Sequence, residues 1–156
     1  MTDPIIEAAG RAVDQACSTL RTAVAGLPAE ALNWRPAGDD TNSLAVLATH
    51  AMYATRLLLH MATGVPAPPR DRAAEFAATA GGAAPLLDLI DGLAAECAAV
   101  LAAAGPIDWG TPRTRRRDDG SIVEMSAAAA LFHAVEHLRG HADEAALTRH
   151  FWLARQ

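Results

Sequence analysis

The stretch that decides the reading is His133-Ala134-Val135-Glu136-His137-Leu138-Arg139-Gly140-His141, three histidines at strict four-residue spacing near the C-terminus. On a helix four residues turn through about 400°, so successive histidines sit roughly 40° apart around the axis and roughly 6 Å apart along it. All three are expected on one helical face. Two imidazoles at i and i+4 can close on one metal ion, as in zinc-binding helices of the H-E-x-x-H kind. Here the pattern is H-x-x-x-H without that acidic neighbour. Such a pair needs at least one further ligand from elsewhere in the chain.

The helix that carries the histidines is expected to begin at about Ile122, because Ser121-Ile-Val-Glu124 matches a capping box, and to run to Ala154. Leu131, Val135, Leu138, Ala142 and Ala145 form a core stripe beside the histidine stripe, which puts the histidines at a boundary of the core. Glu144 lies roughly 20° from His137 around the helix, where it can orient an imidazole, accept a proton, or simply be solvated. Glu136, roughly 100° from His137, is less well placed, and His150, about 180° from His141, reads as a surface residue.

Upstream, Asn42 or Ser43 can cap a helix over residues 44–63, ended by Gly64 with Pro66 close behind. Val46, His50, Tyr53, Leu57 and Met61 recur on it at steps of three and four, so His50 sits on an otherwise apolar stripe. A histidine there is either a core residue bonded to a neighbour or the partner that the H-x-x-x-H pair lacks. His60, about 80° from His50, reads as a surface residue.

The remaining segments complete a helical chain. Asp3 followed by Pro4 reads as an N-cap with proline at the first helical position, and Ile6, Ala9, Val13, Ala16 and Leu20 give a first helix running to about Gly26. Residues 27–41, with two prolines and adjacent acids, read as a connection with one helical turn near residues 28–32, and Trp34 is expected to plug the bundle end. Three prolines in 65–69 make an extended linker, followed by a short helical piece over 71–79. Pro85 opens a further long helix to about Ala103, stopped by Gly105-Pro106. The arginine- and aspartate-rich stretch 107–120 is expected to be solvated apart from Trp109, which should pack.

Composition agrees. The chain of 156 residues is 51% hydrophobic and 4% aromatic, with alanine throughout and few β-branched runs, which favours helices. A chain of this length can bury roughly two-thirds of its unfolded surface in one core, so one domain over residues 1–156 is expected. The fold class is all-α, a four-helix bundle with a short extra helix between the second and third long helices, and bundles place their sites between facing helices.

Charge and segment patterns set exclusions. A net charge of −5 argues against nucleic-acid binding, and the run Arg113-Thr114-Arg115-Arg116-Arg117 is followed directly by Asp118 and Asp119. The N-terminal Met1-Thr2-Asp3-Pro4 does not read as a signal peptide, and the longest apolar run, 44–65, is broken by His50, Arg56 and His60, so no membrane span is expected. Cys17 and Cys97 lack C-x-x-C spacing and read as buried small hydrophobes in a reducing cytoplasm.

The ordered pieces Leu32-Asn33-Trp34-Arg35-Pro36, Asn42-Ser43-Leu44 leading to His50, and His133 to His141 continuing to Leu147-Thr148-Arg149 resemble the DinB/YfiT-like superfamily along nearly the whole chain. The resemblance implies a four-helix bundle, often a homodimer, with a divalent transition metal such as zinc or nickel held by His50, His137 and His141. It leaves His133 in a supporting role. Three neutral imidazoles with an open position form the donor set of catalytic metal sites. The resemblance further implies an enzyme acting on a small-molecule substrate, foremost a transferase of a low-molecular-weight thiol of the mycothiol or bacillithiol type, and helix position makes Glu144 the candidate catalytic carboxylate. A metal-dependent hydrolase and a metal-binding bundle without turnover are the alternatives.

Overall fold

The first helix starts where its backbone donors find partners. In the computed structural model, which describes residues 3–117 and 119–155, the Asp3 carboxylate accepts from the Ile5 amide at 2.8 Å and Pro4 occupies the first helical position. Helix α1 spans Pro4–Val24 and buries Ile6, Ala9, Val13, Cys17 and Leu20 on one face. Its C-terminal carbonyls are closed from a distance, since the Arg149 guanidinium donates to the Ala23 and Ala25 carbonyls at 3.2 and 2.8 Å. Gly26, at φ +70°, turns the chain into the short helix α2, Ala29–Asn33.

Helix α3, Leu44–Thr63, is the central element. Ser43 caps it by accepting from the Val46 amide at 3.2 Å, and Gly64 closes it in the left-handed conformation at φ +78°. The left-handed backbone favours glycine there, and a Cβ at this position would also press on the Arg113 guanidinium at 3.0 Å, which would have to shift. Helix α3 is buried nearly all round, with Leu44, Leu47, Met52, Thr55 and Leu59 fully enclosed. After the linker, α4 (Arg72–Phe76) folds back onto α3, with Asp71 accepting from the Ala74 amide at 2.9 Å. Helix α5 (Ala83–Ala102) packs against α1 and α3.

A short β-hairpin then interrupts the helices. Strand β1, Pro112–Arg116, pairs antiparallel with β2, Ile122–Ser126, in a register that sets Thr114 opposite Glu124. The last helix, α6, spans Ala127–Ala154 and packs against α3 and α1.

The hairpin corrects two expectations. Stretch 107–120 is not simply a solvated loop, and Ser121–Glu124 is not a capping box. Ser121 lies at the hairpin turn, where its amide donates to Asp119, while Ser126 caps α6 by accepting from the Ala129 amide at 3.1 Å. The physical reason lies in residues 119–126: Asp119-Gly120 favours a tight hairpin turn, with Gly120 at φ +82°, and β-branched Ile122 and Val123 suit a strand. Arg113 and Arg115 are accordingly half-buried. Asp118 and the Met1-Thr2 part of the N-terminal reading lie outside the described residues.

Elsewhere the predicted helices are present, with α5 beginning at Ala83, two residues before Pro85, and the short helix of 71–79 confined to Arg72–Phe76. Four long helices form the bundle, with a small two-stranded sheet added. Val135 is half-buried and not enclosed in the core. Trp34 packs at the bundle end against Trp152, with ring centroids 5.6 Å apart and the Arg155 guanidinium over both rings. Trp109 packs as well and donates its indole N–H to Asp3 at 3.0 Å. Among the described residues no helix is long and apolar enough to cross a membrane.

Candidate metal centre

Helix α3 presents His50 toward α6 at the level of His137 and His141. Candidate ligand atoms of these three residues all lie within 4.8 Å of one another. Their ring centroids are 4.5 to 5.2 Å apart in edge-on pairs. His50 is buried and the other two are half-buried. His133 is exposed and stacks on His137 at 5.8 Å, outside the cluster. His150 is exposed as expected. His60 corrects its expectation: it is 8% exposed and its Nδ1 lies 3.3 Å from the Val65 carbonyl, because α3 is enclosed on several sides and not on one stripe.

His50 and His137 are biased toward the neutral imidazole. Burial lowers the His50 pKa from its ordinary value, opposed by its bond to Glu75, and burial with the neighbouring imidazoles takes His137 down to about 3. His50 Nδ1 lies 3.0 Å from Glu75 Oε2, and a carboxylate only accepts, so Nδ1 carries the proton and Nε2 keeps its lone pair. His141 Nδ1 likewise faces a carboxylate, donating to Glu144 Oε2 at 3.1 Å. His137 Nδ1 is buried and has no hydrogen-bond partner among the described residues. Three imidazoles, two of them facing carboxylates and one carrying an orphan nitrogen, form a donor set that fits a divalent transition metal.

A family model of the DinB superfamily matches residues 12–145, most of the chain. The chain belongs to the DinB superfamily. No curated protein matches the sequence. Among solved structures, a conserved protein from Enterococcus faecalis is similar at TM-score 0.73 and 14% identity, with 96% of each chain covered. A mycothiol-dependent maleylpyruvate isomerase is similar at TM-score 0.60 and 18% identity, and a histidine-to-alanine mutant of it at TM-score 0.62 and 16% identity. Each of these matches covers 88% of this chain but only 59% of the isomerase chain. At such identities the likeness concerns the fold.

Within this DinB-superfamily fold the structure adds residues that sequence reasoning missed. Glu75, on α4, is 2% exposed and accepts from Arg70 Nε and Nη2 at 2.6 Å each besides facing His50. Arg70 Nη2 also lies 3.4 Å from His50 Nδ1, but both are donors and both are satisfied by the carboxylate between them. Phe76 covers His50 from the same helix, with ring centroids 4.4 Å apart. A carboxylate with no place in an apolar periodicity reads as solvated, and only the fold-back of α4 onto α3 makes Glu75 a partner. Of the carboxylates singled out on α6, Glu144 sits against His141, while Glu136 is exposed.

Proposed function

We propose that His50, His137 and His141 hold a divalent transition metal, zinc or nickel or a similar ion, and that this centre serves transfer of a low-molecular-weight thiol to a small electrophilic substrate. The observation that carries the reading is the three-imidazole cluster whose outer nitrogens, on His50 and His141, face carboxylates. When bound with an open position, such a metal favours the thiolate, the nucleophilic form of a thiol. The fold likeness to a mycothiol-dependent isomerase supports the thiol as the class of co-substrate.

The chain's own residues divide the remaining work. Glu75, locked by Arg70, fixes the ring of His50 and keeps its Nε2 free as a base. Glu144 fixes His141 and, being exposed, can also receive a proton released from a thiol. That exposed carboxylate is also what favours the second reading, a metal-dependent hydrolase in which Glu144 takes a proton from water. A metal-binding bundle without turnover remains the non-catalytic alternative.

A homodimer formed in the cytoplasm is part of the same proposal. Ile5 on α1 and Phe132 on α6 border an apolar groove and are 42% and 70% exposed, a surface that a second copy would cover. The test of function is incubation of metal-loaded protein with mycothiol and a model electrophile. Transfer faster than in metal-free protein is expected, and a rate equal to the metal-free protein would reject thiol transfer.

A further inference from the structure

We infer that a cavity between α3, α4 and α5 binds a small primary amine in its ammonium form. Asp71, Thr49 and Tyr53 hold the charged end, and Pro69, Ala74 and Leu89 take an apolar body. The cavity has a volume of about 410 Å³, and none of the three clustered histidines lines it. Helix α3 supplies Thr49 and Tyr53, the linker and the start of α4 supply Pro69, Asp71 and Ala74, and α5 supplies Leu89. That volume lies within the usual range for small-molecule sites.

Thr49 is the residue that points to a ligand. It is 8% exposed inside α3, and its hydroxyl has no hydrogen-bond partner among the described residues. Thr55 and Thr63 on the same helix each return the hydroxyl to the carbonyl four residues back, at 2.7 and 2.9 Å. Thr49 makes no such bond and instead lines the cavity. The Tyr53 hydroxyl also lacks a partner among the described residues, while its ring lies under the Arg56 guanidinium at 4.9 Å. An enclosed polar group without a partner is costly, and a ligand that brings donors removes that cost.

The charges around the cavity set the sign of the ligand. Arg70 and Glu75 in its wall neutralise each other through two bonds of 2.6 Å. Arg56, beside Tyr53, is paired with Glu96 at 2.9 Å. Asp71 has no ion-pair partner among the described residues: its Oδ1 accepts from the Ala74 amide at 2.9 Å, and its second oxygen stays available. The negative charge of Asp71 is thus the one left over, which repels an anion and favours a cation. An ammonium carries three donors and no acceptor, and one carboxylate oxygen with two hydroxyl oxygens supplies the three acceptors it needs.

This site does not depend on the metal reading, so its test uses metal-free full-length protein. The probes are n-butylammonium, n-butanol and n-butyrate, which share a carbon body and differ in head group. Each is titrated at low ionic strength while backbone amide shifts are followed. The ammonium is expected to saturate with a dissociation constant on the order of 1 mM, with shifts concentrated at residues 49–53, 69–75 and 89. The alcohol should bind at least about fivefold more weakly, and the carboxylate should not saturate. Asp71→Asn keeps a cap for α4 while removing the charge, and should weaken ammonium binding about tenfold without changing that of the alcohol. Thr49→Val removes only the hydroxyl and should weaken ammonium binding about fivefold. Asp88→Asn, an exposed position on α5 outside the cavity, leaves binding unchanged. Lack of saturation by the ammonium, equal or tighter binding of the alcohol or the carboxylate, shifts centred elsewhere, or undiminished binding by folded Asp71→Asn or Thr49→Val protein would overturn the proposal. Should those variants not fold, the head-group series on wild-type protein decides alone.

Discussion

His50 and His141 each lean on a carboxylate, but the two pairs sit in different surroundings. Glu75 is enclosed, bonded twice by Arg70 and once by the imidazole, on a helix that packs against α3. Glu144 is on the same helix as its histidine, one turn away, with a 44% exposed side chain. The comparison teaches that equal distances do not mean equal hold. A buried carboxylate loses its hydration and is costly to leave unpaired, whereas an exposed one exchanges its histidine for water at little cost.

The largest expected effect follows from removing the buried member. Glu75→Ala strands Arg70, whose side chain is 14% exposed, and should destabilise the fold by roughly 3 kcal/mol. Glu144→Ala should cost about 0.5 kcal/mol or less. Urea unfolding of both variants measures the contrast, and equal losses would break it.

Metal affinity sharpens the same comparison with gentler changes. Glu75→Gln keeps the shape of the buried partner but gives up the charge that holds the His50 proton, and a drop of about tenfold or more in metal affinity is expected. Glu144→Gln should change affinity about threefold or less, since water replaces the lost acceptor. Competition with a chromogenic chelator reads both. A larger effect at Glu144 than at Glu75 would reverse the ranking.

A smaller effect concerns the two thiols, which are enclosed like Glu75. Burial raises Cys17 to about 11 and Cys97 to about 12, and Cys17 Sγ lies 3.7 Å from the Met52 sulfur. The folded state therefore prefers the protonated thiols. Their contribution is fully present below the ordinary thiol value near 9 and is lost as pH rises through about 11 to 12. Thermal stability should thus fall above pH 9, and Cys17→Ala with Cys97→Ala should flatten that fall. Disulfide reagents at pH 8 should react with the native thiols only slowly.

What the sequence made legible was what depends on near neighbours. Asp3-Pro4, Ser43 and Gly64 mark helix ends because each acts on backbone groups within a few residues, and those ends appear where expected. Helical spacing alone set His133, His137 and His141 on one face, and the choice of His137 and His141 as the pair came from the resemblance to the DinB/YfiT-like superfamily. His50 stood out because it interrupts an apolar stripe. Ser121-x-x-Glu124 misled because a capping pattern is short enough to arise inside a hairpin, where strand pairing outweighed it. Glu75 and Arg70 were not legible at all, because their roles arise from α4 folding across twenty-five residues onto His50. His60 was misjudged because an angle from one stripe predicts exposure only when a helix buries one face, and α3 buries several.

The central claim is that the bundle closes a metal site from two helices. Elemental analysis of protein purified without a nickel column, alongside His50→Ala and His137→Ala, tests it most directly. About one divalent metal per wild-type chain is expected, falling to about one tenth or less in each variant. Full metal content in folded His50→Ala protein would contradict the account.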